Sequence, residues 1–547
     1  MTSNEEPDAA APEEPAAWAP AEPRAEAVES SWPSGRDLRR LTRDATDAHT
    51  GGSIMEIFSE VYSVIFSAAI ALAVALGAVQ GLNATLTPAP GVTSIDPSWL
   101  AVVAGLIIVG SIVALAGRLG PIGMGGGQAS WWLPTPTDRR TLLRPRAALI
   151  PLLGAVFGAA GGLLIVYLAL PEPGSALGWS VALFALLGAG LSLAVAAGQV
   201  HQGNRRARRL RPAVLLGDAL MALAPVLGLL VVVVRPGPLA VPHGGVAVGA
   251  IAVLAIAVVV LLWRVGTGLD EVSGRELRSR GAVSAYAAGA VMSMDTRELG
   301  RALTVSTAPD QRRGSANLGW VRGPVSAIVT GDALVLARSP RHAIQIVVAG
   351  CLPLVAVLAG WPTWINLVAL IAGAYFAAMA TAEGARRAEM APVLDRHFPL
   401  EATEVRRVRA IFPAAVMVLW CAAVFAAWGA AQGDHLGWLV MGVVCAPTFS
   451  AGVVRAAYRK PPDWTKPLVT GPMGPVAPGV MTAFARGPDL VVFCLIPLLI
   501  AVLALGPTPT LIAAQLATGA LALAIATHVS EEKKAAQTAG QKGAVKA

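Results

Sequence analysis

Long apolar stretches alternate with short polar ones along most of the chain after residue 57. Each stretch is close to the roughly 20 residues that a helix needs to cross the hydrocarbon core of a bilayer. The pattern therefore predicts an all-α fold, a polytopic membrane protein with about twelve transmembrane helices. We place these spans near residues 58–79, 98–117, 147–170, 178–200, 213–234, 244–263, 343–360, 362–381, 411–429, 436–456, 489–507 and 509–528.

Composition supports the same fold class. Of the 547 residues, 55% are hydrophobic and only 14% are charged, and the mean hydropathy is +0.62. A soluble domain has about a quarter of its residues charged. Frequent Ala, Gly and Arg are typical of a high-GC bacterium, so we expect the protein in a bacterial cell membrane.

The distribution of positive charge predicts the orientation of the spans. All but one of the 42 Lys and Arg residues lie in the N-terminal tail, in every second loop or in the C-terminal tail; the exception is Arg235. Lys and Arg mark the cytoplasmic side of a membrane protein. We therefore expect both termini to be cytoplasmic, and an even number of spans requires that they lie on the same side.

The order of segments suggests two parallel six-helix halves, residues 36–263 and 316–528, each opened by an interfacial helix. An even number of spans in each half makes such a repeat parallel rather than inverted. We expect residues 264–315 to be a cytoplasmic linker with an amphipathic helix. Residues 1–35 are rich in Ala, Pro and Glu, a composition that predicts disorder, and 529–547 form a cytoplasmic tail.

A pair of arginines precedes the third span of each half. Arg139 and Arg140 follow Thr-Asp in "WWLPTPTDRRTLLRPR", and Arg406 and Arg407 follow Thr-Glu-Val in the corresponding loop. A Thr followed by an acid is typical of a helix N-terminus. Both pairs would then lie on the cytoplasmic side, close to the membrane surface.

Two acids lie in or near predicted spans. Asp218 is one to two turns inside the fifth span, and Asp489 begins the eleventh. They are candidates for a proton or cation site, or they pair with cytoplasmic arginines such as Arg211 and Arg486. We prefer pairing, because charges near helix ends reach the interface at low cost.

Motifs for catalysis, cofactors or metals are not found in the sequence. It has no phosphate-binding glycine loop followed by Lys, and its histidines are scattered. The four cysteines lie in apolar stretches. We therefore expect no enzyme activity, no cofactor, no metal and no nucleic-acid partner. The basic segment 205–211 either contacts anionic lipid head groups or only determines topology.

Two tracts resemble parts of ABC-2-type exporter permeases. "LGPIGMGGGQASWWLPTPTDRRTLLRPR" resembles the loop after their second span, and "SAIVTGDALVLARSPRH" resembles the interfacial helix before their first. The chain also resembles an actinobacterial family of long polytopic membrane proteins. The usual permease of this class has six spans, so this chain would carry two such units.

This resemblance implies the membrane-spanning component of an exporter that works with a separately encoded ATP-binding subunit. Arg139, Arg140, Arg406 and Arg407 would then couple to that ATPase, and the nearly uncharged spans suit an apolar or amphipathic cargo. An ion-coupled secondary transporter and a non-transporting membrane scaffold are the alternatives. The first would need a titratable site such as Asp218, and the second would use the large cytoplasmic loop as its platform.

The charge asymmetry yields a test of topology. In a cysteine-free background, single cysteines at Ser175 and Asp434 should react with a membrane-impermeant thiol reagent in intact cells. A cysteine at Ser315 should react only after the membrane is opened. The reverse labelling pattern would refute the predicted orientation.

Overall fold

The computed structural model describes residues 33–50, scattered positions within 58–81, residues 96–169, 174, 176–201, 211–239, 244–292, 299–300, 302–303, 317–459, 469–471, 474–476 and 486–529. The predicted N-terminal tail falls almost wholly outside these residues. Most of the first predicted span, most of the basic segment 205–211 and most of the C-terminal tail also lie outside them.

The described residues of the first part of the chain form eight α-helices. In chain order they are α1 (Gly35–Thr50), α2 (Pro97–Leu119), α3 (Gly126–Trp131), α4 (Arg139–Ala169), α5 (Ala176–Val200), α6 (Arg211–Val234), α7 (Gly244–Thr267) and α8 (Gly274–Met292). A short 3-10 turn, Leu269–Glu271, lies between α7 and α8. Helix α8 lies within the predicted linker, residues 264–315.

The described residues of the second part form ten more helices and one small hairpin. The helices are α9 (Pro324–Ala337), α10 (Pro340–Leu358), α11 (Thr363–Thr381), α12 (Glu383–Met390), α13 (Pro392–Arg396), α14 (Ala402–Gln432), α15 (His435–Ala457), α16 (Pro488–Cys494), α17 (Ile496–Ile500) and α18 (Pro509–Thr527). Strands β1 (Val469–Gly471) and β2 (Gly474–Val476) pair antiparallel. This hairpin was not predicted.

The prediction of an all-α polytopic membrane protein is confirmed. Within the described residues, ten helices are long and apolar enough to cross a membrane. They correspond to ten of the twelve predicted spans. Helix α9, at 14 residues, is too short to cross, as expected for an interfacial helix.

The eleventh predicted span is not one continuous helix. Residues 488–505 form α16, α17 and a π-helical turn, Ala501–Leu505. Pro497 cannot donate a backbone hydrogen bond. Gln515 of α18 supplies side-chain partners at the break: its Oε1 accepts from Leu498 N at 3.2 Å, and its Nε2 donates to Cys494 O at 3.0 Å. Backbone groups freed inside a membrane must be satisfied in this way.

The same helix pairs pack closely in both parts of the chain. In the first part α4 packs on α5, and α5 on α7; in the second part α14 packs on α15, and α15 on α18. These are the third, fourth and sixth predicted spans of each half. The two parts meet where α6 packs against α10. The repeated pairings agree with a two-half organisation, whose boundaries at 36–263 and 316–528 remain a prediction.

Glycines allow α4 and α5 to approach closely. A β-carbon at Gly188 of α5 would collide with the carbonyl oxygen of Gly154 on α4, and one at Gly158 would collide with Phe184 O. Small residues serve this purpose in membrane helix pairs, where close packing rather than hydrophobic burial holds the helices together. The contact is backbone against backbone, so an added side chain cannot be accommodated by a rotamer change.

Gly188→Ala should therefore lower the unfolding temperature of the protein in detergent. Gly190→Ala is the matched control on the same helix, because a β-carbon there would lie 3.7 Å from Val258 Cγ2, an ordinary contact distance. We expect a cost of about 1–3 kcal/mol for the first variant and little change for the second. Equal thermal stability of the two variants would contradict the close α4–α5 contact.

Candidate cytoplasmic coupling site

In each half, the helix that forms the third span begins well before its apolar segment. Helices α4 and α14 each have 31 residues, and they start eight or nine residues before the apolar stretches predicted at 147 and 411. At 1.5 Å per residue, each extends about 12 Å beyond its apolar part. The arginine pairs therefore lie on the ends of the spans themselves, and not on separate short helices.

Acidic residues cap both extensions: Asp138 of the predicted Thr-acid pattern in the first half, and Glu401, which precedes that pattern, in the second. Asp138 accepts hydrogen bonds from Arg140 N at 3.0 Å and Thr141 N at 3.3 Å. Before α14, Glu401 and Glu404 form a reciprocal capping box, in which Glu401 N donates to Glu404 Oε2 at 3.0 Å. Such caps satisfy backbone donors that a helix start leaves free.

Arg139 and Arg140 both contact the segment that follows α7. Arg139 Nη1 donates to Val272 O at 3.1 Å, and Arg140 Nη2 donates to Thr267 O at 2.7 Å. Arg140 also forms an ion pair with Asp270. The Arg140 and Asp270 side chains are 45% and 42% exposed, so this pair lies at the surface and remains accessible to a partner.

Arg406 and Arg407 have different environments although they are adjacent. The guanidinium carbon of Arg406 lies 4.5 Å from the centre of the Tyr458 ring, and Arg406 Nη1 donates to His528 O at 3.2 Å. Arg407 is exposed, and no hydrogen bond from its side chain is formed within the part of the chain that the structure describes. Of this pair, Arg407 is the one available to a partner.

Helix α1 contacts the start of α4. Gly35 N donates to Thr141 Oγ1 at 3.2 Å. Arg39 Nη1 donates to two backbone carbonyls of α4, Thr141 O at 2.6 Å and Leu142 O at 3.0 Å. The first interfacial helix is thus hydrogen-bonded to the extension of the third span.

Helix α9 contacts α14 through a buried ion-pair cluster. Arg409 of α14 bonds Asp332 Oδ1 of α9 at 2.8 Å, and it bonds both carboxylate oxygens of Asp395 on α13 at 2.5 and 3.3 Å. The Arg409 and Asp332 side chains are only 10% and 5% exposed. One arginine therefore joins α9, the loop helix α13 and the third span of the second half.

This cluster was not predicted from the sequence, although one signal was present. Asp332 is the only ionisable residue of the apolar helix α9, and an acid in such a position needs a partner. Gly384 marks the close packing of α12 on the same side chain, because a β-carbon there would collide with the Asp332 carboxylate.

Asp332 is a carboxyl group of the cluster whose pKa is raised. Burial, together with the nearby charge of Asp395, raises the pKa of Asp332 to about 6 against the opposing effect of Arg409. Two carboxylates share one guanidinium here, and Asp395 receives two of its three hydrogen bonds. The contact between α9 and α14 therefore depends on the Asp332 carboxyl group, whose pKa is about 6.

The two acids singled out from the sequence are both paired with arginines. Asp218 accepts from Arg118 Nη2 at 2.6 and 2.7 Å, and the Arg118 side chain is 7% exposed. Asp489 lies 3.1 Å from Arg455 Nη2. These arginines lie at the C-terminal ends of α2 and α15. Asp489 is not paired with Arg486, which sequence proximity suggested, and the Arg211 side chain suggested for Asp218 lies outside what the structure describes.

The chain belongs to the DUF6297 family, a family of unknown function whose sequence profile matches residues 92–467. The matched region includes both arginine pairs, Asp218 and the Arg409 cluster. No curated protein and no solved structure matches the chain.

The raised pKa of Asp332 predicts a pH-dependent contribution to stability. The folded state binds the Asp332 proton more tightly than the unfolded chain does, because the usual pKa of this carboxyl group is 3.8. The stability that protonated Asp332 contributes is therefore fully present below about pH 4, and it is lost as the pH rises through about 6. Asp332→Asn abolishes this titration, so the variant should gain unfolding temperature relative to the wild type as the pH rises from 4 to 7.

Thermal unfolding in detergent across this pH range measures the difference. Glu271→Gln, a change at an exposed carboxylate away from the cluster, gives the baseline for losing one acid. A constant difference between the wild type and Asp332→Asn at every pH would contradict the raised pKa.

Proposed function

We propose that this member of the DUF6297 family is the membrane-spanning component of an ABC-type exporter. It would move an apolar or amphipathic substrate together with a separately encoded ATPase. It would lie in the bacterial cell membrane with both termini in the cytoplasm, where the ATPase binds. The chain itself would supply no enzyme activity.

The observation that carries this proposal is the extended third span of each half. Helices α4 and α14 run without interruption from their polar N-terminal ends through their apolar segments. Each is bonded near that end to a predicted interfacial helix, through Arg39 in one half and Arg409 in the other. A force applied to that end would be transmitted to the whole span, which is what a separate motor subunit requires.

The surface residues at these ends indicate where a motor subunit would contact the chain. Arg407 is exposed on α14, and Arg140 lies at the corresponding end of α4 with Asp270 beside it. Acidic groups on an ATPase would complement them, and such complementarity sets the orientation and rate of association more than its strength. Closure of an ATPase dimer would then tilt α4 and α14 and alter access to the space between the halves.

The spans themselves support an apolar cargo. The ionisable residues singled out within them, Asp218 and Asp489, are engaged by Arg118 and Arg455. Both carboxylate oxygens of Asp218 accept hydrogen bonds from Arg118, so they are not free to coordinate a coupling cation. This pairing weighs against an ion-coupled transporter.

Photo-crosslinking from position 407 tests the proposal. A photoreactive amino acid at Arg407 should capture a nucleotide-binding protein without a membrane domain, and the same group at Arg406 should not. Arg407→Glu should then weaken binding of that protein by tenfold or more, because like charges oppose each other at the contact. Arg322→Glu, another exposed cytoplasmic arginine, should leave binding unchanged.

A charge swap separates docking from internal structure at the first half. Arg140→Glu alone breaks the ion pair with Asp270, whereas Arg140→Glu with Asp270→Arg re-forms it in reverse. If Arg140 docks on the ATPase, the double variant should bind as poorly as the single one. Recovered binding in the double variant would assign Arg140 a purely internal role. Wild-type affinity in all of these variants would contradict the proposal.

A further inference from the structure

The chain enters α1 directly beside the start of α4. Thr137 Oγ1 donates to Pro33 O at 3.4 Å. A β-carbon at Gly35 would lie only 2.6 Å from Leu142 N, so the two backbones are in direct contact there. The acidic tail, residues 1–32, is therefore attached to the rest of the chain at the N-terminal end of α4.

Positive charge is concentrated around this attachment. Residues 35–41 and 137–146 together contain seven arginines and two acids. The turn Leu269–Glu271, which packs on α4, brings two more acids, so arginines still outnumber acids. The positive ends of the α1 and α4 helix dipoles lie at the same place and add to the potential. The arginine patch consists of Arg36, Arg39, Arg40, Arg139, Arg140, Arg144 and Arg146.

Hydrogen bonds satisfy three of these guanidinium groups without neutralising their charge. Arg39 donates to two backbone carbonyls of α4. Arg139 donates to Val272 O at 3.1 Å, and Arg146 donates to the side-chain oxygen of Gln128. All of these acceptors are uncharged, so the three positive charges remain.

The acids beside the patch balance only part of its charge. Asp270 is paired with Arg140. Asp37 interacts with the two neighbouring arginines of its own helix, and Asp138 accepts hydrogen bonds from the first turn of α4. Arg144 is exposed and forms no hydrogen bond or ion pair within the part of the chain that the structure describes. The patch therefore keeps a net positive charge with these acids included.

The acidic tail has the opposite charge and is held close to the patch. Residues 1–32 contain eight acids and one arginine. Glu26 and Glu29 are seven and four residues before Pro33. Because an extended chain spans at most about 3.6 Å per residue, they lie within about 25 Å and about 14 Å of that attachment in any conformation.

Covalent attachment makes a weak attraction sufficient. A segment joined by a short flexible connection meets its site at an effective concentration in the millimolar range. Attraction between exposed charges acts over about 10 Å at 0.1 M salt, a distance similar to the reach of the last tail acids. Binding of the tail should therefore be strongest at low salt.

We propose that the acidic tail binds the arginine patch and covers the N-terminal end of α4. Arg140 belongs to this patch, so the bound tail would compete with an ATPase for the same surface; this consequence rests on the proposed function. The tail would then be an autoinhibitory segment, which a partner must displace before it can act on the first half.

Spin-label distances test the contact in the full chain without any ATPase. In a cysteine-free background, labels replace Ala16 of the tail and Leu41 of α1, which is 60% exposed. Double electron–electron resonance is recorded in phosphatidylcholine nanodiscs at high and at low salt. A free acidic tail repels itself and extends as salt is lowered, whereas a tail attracted to the patch should move closer. We expect the distance to shorten at low salt.

Charge variants identify the groups responsible for this shortening. Replacing the eight tail acids by Gln or Asn should abolish it. Arg40→Gln with Arg144→Gln should weaken it, and the fold should persist because both side chains are exposed. Arg322→Gln with Arg407→Gln removes two exposed charges of the second part of the chain and should behave like the wild type.

Two results would overturn binding of the tail to the patch. Lengthening of the wild-type distance at low salt would leave the patch to lipid or to another partner. Equal shortening in the wild type and in the variant without tail acids would show that charge attraction is not the cause.

ATPase binding tests the competition separately. Removing the tail charge should raise the affinity severalfold at low salt, and the difference should fade at high salt because the attraction is screened. Equal affinity, together with a tail that binds the patch, would overturn the autoinhibitory role. If an ATPase binds neither form, the proposed function fails and the autoinhibitory role with it, while the label distances still decide whether the tail binds the patch.

Discussion

Charge buried beside membrane-spanning helices must be paired, and Arg409 shows how far this constraint organises the second half. Its guanidinium is shared by Asp332 and Asp395, which come from different helices. Removing Arg409 would leave two buried carboxylates without their partner, at a cost of about 3–5 kcal/mol. The interfacial helix, the loop helix and the third span are therefore held as one unit.

The first half achieves the same connection with different chemistry. Arg39 donates to backbone carbonyls of α4, so a single charge is satisfied by neutral acceptors at the surface. Arg140 then joins α4 to the segment after α7 through Asp270. The two halves thus share an arrangement of helices, while the buried cluster at Arg409 belongs to the second half. We therefore expect the two halves to respond differently to pH.

Much of the fold is predictable because the membrane restricts what a span can be. The length of an apolar stretch, the acids that cap α4 and α14, and the short interfacial helix α9 all follow from local rules. The break at Pro497 is harder to predict, because a proline inside a span often leaves the helix intact; Pro413 lies within the continuous α14. At Pro497 a residue of another helix makes the difference: the side-chain amide of Gln515 forms hydrogen bonds with the backbone groups that the break leaves free.

The candidate site was predictable only in part for the same reason. Sequence position identified Arg406 and Arg407 as a pair, but helix geometry directs one toward Tyr458 and leaves the other exposed. Asp218 was expected to have an arginine partner, yet Arg118 lies a hundred positions away along the chain. Local patterns locate charged residues relative to the membrane; they do not show which residues of distant helices meet.

In the proposed exporter, each third span moves with its interfacial helix as a rigid unit driven from the cytoplasm. Spin labels at Val325 and Ile411 report the distance within the second unit, and labels at Leu149 and Ile411 report the distance between the halves; all three side chains are exposed. Double electron–electron resonance would measure these distances in nanodiscs with the ATPase bound, once with ATP and once with ADP. We expect an unchanged distance within the unit and a changed distance between the halves. A change within the unit, or none between the halves, would contradict this rigid-unit motion.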